Sequence, residues 1–121
     1  MDTWALDFEW LRVRHFVKER MNRSELPDLN AILLLIGIQE LGLIKPEGFT
    51  KEEKQDLMHV ATCQLLSQRE YYSFIGRDQD GWPHYEMIKP FTVKGVKDQE
   101  ILIKELISEY FKTNFPQDFK E

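Results

Sequence analysis

The chain has 121 residues, 42% of them hydrophobic and 31% charged, which is enough apolar material for one packed domain and too much for a disordered chain. Its formal net charge of −5 disfavours non-specific nucleic-acid binding, which needs a cationic surface. The single cysteine, Cys63, excludes an intramolecular disulfide and fits a reducing, cytoplasmic setting.

No secretory n-region or apolar h-region is visible at the start, and the longest apolar run, Ala31 to Ile38, falls far short of the ~20 residues of a membrane span. No repeat or linker-like stretch interrupts the chain. The expected organisation is one mainly α (α+β) domain over residues 1–121. About four helices pack around a buried second helix, with one β-hairpin between helices three and four, and residues 115–121 are a frayed tail unless Phe115 and Phe119 dock.

The first helix is read from about Thr3 to Met21. Helical spacing sorts its apolar residues into two stripes. Trp4, Phe8 and Leu11, continued by His15, form one, and Leu6, Trp10, Val13, Val17 and Met21 form the other. A surface helix needs a single stripe. Two predict either a sandwiched helix or a second stripe that is a self-interface, with Trp4, Phe8, Leu11 and His15 as its residues. The cations Arg12, Arg14, Lys18, Arg20 and Arg23 complement the helix dipole, and Arg12, Arg20 and Arg23, which share one side with Phe16 and Glu19, are a weaker candidate anion or nucleic-acid patch.

Leu26-Pro27-Asp28 opens the second helix, whose body runs from Leu29 to Leu41 and is nearly all apolar. Gly42 is the expected left-handed cap, with Leu43 and Ile44 folding back on the helix. Thr50 and Glu53 have the spacing of a capping box at the start of the third helix, which ends near Gln68. On it, Leu57, Met58, Val60, Ala61 and Leu65 form the inner face. Asp56, His59 and Cys63, at i, i+3 and i+7, project away from that face. They are weak metal-ligand candidates and offer a thiol beside a histidine. No second carboxylate-x-x-histidine step accompanies them, as a di-iron bundle would need.

Tyr71 to Ile75 reads as a strand, Arg77 to Gly81 as a turn around Asp80-Gly81, and Trp82 to Ile88 as the return strand. Asp78-Gln79-Asp80-Gly81 lacks the flanking carboxylates of a calcium loop. Strict alternation puts Trp82, His84 and Glu86 on one face and Tyr85 and Met87 on the other. A two-stranded element cannot bury both faces, so Tyr72, Arg77, Trp82, His84 and Tyr85 are the candidate binding surface. Asp98 is the expected N-cap of the fourth helix, which Pro116 ends.

No phosphate-binding loop, nucleophile elbow or zinc-binding spacing is present. The functional expectation is therefore binding rather than catalysis, with no cofactor. The expected partner is a protein or a second copy of the chain, not nucleic acid or membrane. Two alternatives belong to other classes. One is a winged-helix-like DNA binder, opposed by the acidic start of the third helix. The other is a small metalloprotein or enzyme using His59, Cys63 or His84.

Overall fold

The order of elements follows from local signals that a computed structural model, describing residues 3–119, makes explicit. Four helices, α1 (Thr3–Arg20), α2 (Leu29–Leu41), α3 (Lys51–Ser67) and α4 (Val96–Asn114), accompany two strands, β1 (Tyr72–Arg77) and β2 (Pro83–Met87). The fold is mainly α with one antiparallel hairpin between α3 and α4. By its internal contacts the chain divides into two compact units. One comprises 1–27 together with 92–121, and the other is the continuous stretch 28–91.

In the first unit α1 packs on α4. Leu6, Val13 and Val17 of α1 are buried, as are Leu106, Ile107, Tyr110 and Phe111 of α4. Asn22, in the left-handed region at φ 51°, ends α1, with the Arg23 N–H donating back to the Lys18 carbonyl. Val96 follows Gly95, whose φ of 89° turns the chain into α4, and no side chain caps the helix. Asp98, the expected cap, lies instead in the first turn, where its charge still complements the dipole. The tail is docked rather than frayed over its described part. Phe115 and Phe119 both pack 5.1 Å, ring to ring, from Phe16, and Phe119 is buried; Lys120 and Glu121 lie outside the described residues.

The cations of α1 are largely spent within this unit. Arg12 pairs with Glu9 at 3.1 Å and stands over the Phe119 ring, while Arg20 stands over Phe16 and Phe115. Arg14 donates to the Pro27 carbonyl. These are internal roles, and they leave little of the anion patch that the sequence allows.

In the second unit Asp28 is the N-cap of α2 rather than part of its first turn, its carboxylate accepting from the Ala31 N–H at 2.9 Å. Gly42, at φ 75°, closes the helix as expected. Ile44 does not fold back: it is 90% exposed, because the chain leaves the cap toward the Lys45–Gly48 turn. Thr50 and Glu53 complete both halves of the capping box, and Lys45 reaches Glu53 at 2.6 Å. Such a cap contributes about 1 kcal/mol and fixes where α3 begins.

Residues of α2 and α3 meet at closest approach where Gly37 faces the backbone of Leu57. The hairpin then lies against α3. Its pairing, Tyr72 with Met87 through Arg77 with Pro83, shifts register between Phe74 and Gly76, leaving Ile75 as the extra residue of a bulge.

Candidate functional site

A cavity of about 460 Å³ lies between α3 and the hairpin. From α3 it receives Asp56, His59, Val60 and Cys63; from the hairpin it receives Tyr72, Asp78, Trp82, Pro83, His84 and Tyr85. The volume is within the ~300–1,000 Å³ typical of small-ligand sites. Two groups of residues that look unrelated in the sequence, one on a helix and one on a hairpin some twenty positions later, thus line a single space.

Each side chain has a local reason for its place. Asp78 begins the hairpin loop, its Oδ1 accepting from the Asp80 N–H at 2.9 Å and the Trp82 N–H at 3.0 Å. This is the Asx geometry that lets a short carboxylate organise a turn. Its other oxygen, Oδ2, lies 2.9 Å from His84 Nε2. That hydrogen bond first, and the Trp82 N–H second, hold the Asp78 carboxyl below the ordinary carboxylate range. Asp78 is therefore an anion with a fixed position, and it orients the imidazole at the cavity wall.

Trp82, Pro83, His84 and Tyr85 are consecutive, yet all four reach the cavity. Strict alternation would send Tyr85 to the opposite face from Trp82 and His84. In burial the alternation holds along the strand, with Pro83 and Tyr85 covered and His84 and Glu86 exposed; Trp82 precedes the strand, and His84 meets the cavity beside Asp78. Tyr85 is half-buried. Burial first, then the charge of Glu40 and the thiol of Cys63, push its hydroxyl up to about 12.

Cys63 departs from its expected place. It is 3% exposed, covered rather than projecting from a polar flank, whereas Asp56 and His59 of the same trio remain exposed. The Cys63 Sγ to His59 Nε2 distance is 3.5 Å. Burial pushes the thiol up, so it is held as the neutral form, the opposite of what a nucleophile needs. Among the described residues no three His, Cys, Asp or Glu side chains form a group that could hold a metal ion.

Arg77, a member of the expected binding face, does not line the cavity. Its guanidinium donates to the carbonyls of Glu40 at 2.7 Å, Leu41 at 3.1 Å and Gly81 at 2.8 Å. It closes the C-terminus of α2 and ties the hairpin loop to it, a structural role that nothing in the local sequence announces. The lining also includes Asp78, Val60 and Pro83, which strand alternation and helix spacing do not single out; the only local signal at Asp78 is that of a turn.

A second, shallower hollow of about 390 Å³ lies in the first unit beside Phe8, Leu11, His15 and Phe16. On α1, Trp4, Phe8 and Leu11 are 72%, 57% and 42% exposed. No helix among the described residues is long and apolar enough to cross a membrane. Compared with protein families, with curated proteins and with solved structures, the chain finds no match.

Proposed function

We propose that this protein is a non-catalytic binding module of the cytoplasm, and that the cavity between α3 and the hairpin is where its ligand or its partner's side chain is held. One observation carries the reading: the aromatic hairpin residues Trp82, His84 and Tyr85 and the α3 residues Asp56, His59 and Cys63 line the same cavity. Binding is favoured over catalysis because the lone thiol is buried in its neutral form. Among the described residues the cavity wall holds two carboxylates and neither lysine nor arginine, which is the wrong charge for a phosphate backbone. The test is a fragment screen followed by amide and indole NMR shifts on the full chain. Hits should converge on Trp82, His84 and Cys63; hits scattered over the surface, or concentrated elsewhere, would reject the cavity as the binding site.

A second reading, self-association, is favoured by the exposure of Trp4, Phe8 and Leu11. With His15 these positions are spaced four, three and four apart, the seam of a two-helix coiled coil. Light scattering coupled to size-exclusion chromatography should then give twice 14.5 kDa, and Leu11→Glu should return the monomer. A monomer at high concentration rejects this reading.

A further inference from the structure

The composition of the cavity wall is one-sided. It has three large aromatic side chains, Tyr72, Trp82 and Tyr85, and two carboxylates, Asp56 and Asp78. It has no lysine or arginine. Arg77, the cation nearest in sequence, is held by three backbone carbonyls elsewhere. The face of an aromatic ring is electron-rich and attracts a cation, most strongly for tryptophan, and the attraction grows as the cation loses water. A carboxylate beside such rings adds a Coulombic term of the same sign. The wall also holds two imidazoles, His59 beside Cys63 and His84 on one oxygen of Asp78; an anion brought here would still meet two carboxylates and, among the described residues, no lysine or arginine.

Asp78 has the further property of being fixed. Two backbone N–H groups and the His84 imidazole hold its carboxylate in one place, so it need not be ordered when a ligand arrives. Because it is also kept ionised, the charge is present at neutral pH.

We propose that the cavity recognises an organic monocation, an alkylammonium or methylated ammonium group, with Trp82, Tyr72 and Tyr85 as the aromatic walls and Asp56 and Asp78 as the countercharge. This rests on the reading of the cavity as the binding site and names the chemistry of what it binds. The ammonium group has two sources, a free small molecule or a lysine side chain displayed on a polypeptide.

The experiment uses the full chain and follows the Trp82 indole N–H by NMR, assigned by its loss in Trp82→Phe. Four probes are titrated: tetramethylammonium, capped lysine trimethylated at Nζ, the same compound with carbon in place of that nitrogen, and capped glutamate. Both cations should shift the Trp82 signal saturably. The neutral isostere should bind at least about tenfold more weakly, the size of one desolvated cation–π contact. Asp56→Asn with Asp78→Asn, which keeps the turn acceptor, should weaken cation binding by about tenfold as well. Tighter binding of the lysine derivative than of tetramethylammonium identifies a displayed side chain as the source, and equal binding identifies a free cation. If the neutral isostere or the glutamate binds as well as the cations, the cation proposal is overturned while the cavity remains a binding site. If no probe shifts Trp82 to roughly 10 mM, the proposal is overturned, and if the fragment screen is also silent there, the binding reading falls with it.

Discussion

Substituting alanine for Gly37 probes the close backbone approach between α2 and α3. A methyl group there would overlap the carbonyl oxygen of Leu57 and lie 2.6 Å from its carbonyl carbon and 3.0 Å from its Cα. Carbon atoms rest at ~3.5–4.0 Å, so α2 and α3 must separate by roughly 1 Å. The obstacle is backbone and cannot rotate away. Overpacking of this kind costs up to about 3 kcal/mol. Alanine returns about 1 kcal/mol because it is the better helix former. The net expectation for Gly37→Ala is a loss of about 2 kcal/mol. In urea, with a slope of about 1.5 kcal/mol per molar, the unfolding midpoint should fall by more than about 1 M. A variant as stable as the parent would mean that propensity outweighs the clash, and that the helices do not cross as closely as the structure has them.

Arg77→Ala removes three hydrogen bonds from a charged donor to the carbonyls of Glu40, Leu41 and Gly81. Allowing for the exposure of the side chain, thermal unfolding should report a loss of about 1–2 kcal/mol, only partly recovered by Arg77→Lys, whose ammonium cannot span the three acceptors; a loss under about 0.5 kcal/mol would deny Arg77 its capping role. For Tyr85, raised to about 12 by burial and then by Glu40 and Cys63, the sign is that of an acid favoured in its neutral form. Its contribution to stability is complete below the ordinary tyrosine value and disappears as pH rises toward 12. Ultraviolet titration should show a tyrosine phase near 12 that Tyr85→Phe deletes, and a phase that survives the substitution would contradict the assignment. Asp78 has the opposite sign, since its pKa is depressed by His84 and the Trp82 N–H. Its contribution is complete above the ordinary carboxylate range and is lost as pH falls through the depressed value, so Asp78→Asn should flatten the acid limb of hairpin melting, followed through the Trp82 indole. An unchanged acid limb would show that the hairpin does not depend on that charge.

The features legible in the sequence are those whose partners lie within a few residues. Thr50 and Glu53 name the start of α3, Gly42 the end of α2, and Asp80-Gly81 the hairpin loop, because each signal is completed within one turn of chain. The mainly helical fold with one hairpin follows from these and from the apolar spacing. What stayed hidden depends on distant partners. Arg77 reaches carbonyls 36 and 37 positions back, a distance over which no local pattern operates. Cys63 is buried because the hairpin covers its side of α3, although its helical position alone puts it on a polar flank. Ile75 forms a bulge although it has the β-branched side chain of an ordinary strand residue. Asp98 has the right side chain for a cap, yet Gly95 starts the helix by backbone geometry instead.

The division of the chain also sets an order of events during synthesis. Residues 28–91 form one continuous compact unit, whereas the other unit is built from the two ends, 1–27 and 92–121. The continuous unit has all its partners within reach as soon as Phe91 has emerged, and its α2–α3 and hairpin contacts are short in sequence. Helix α1 has no such opportunity. Its buried stripe of Leu6, Val13 and Val17 waits for α4, which follows the continuous unit in the chain. At roughly 5–20 residues per second this is a wait of several seconds with an amphipathic helix unpartnered on both its stripes. The nascent chain is most exposed to wrong association in that interval, and the vulnerable segment is α1.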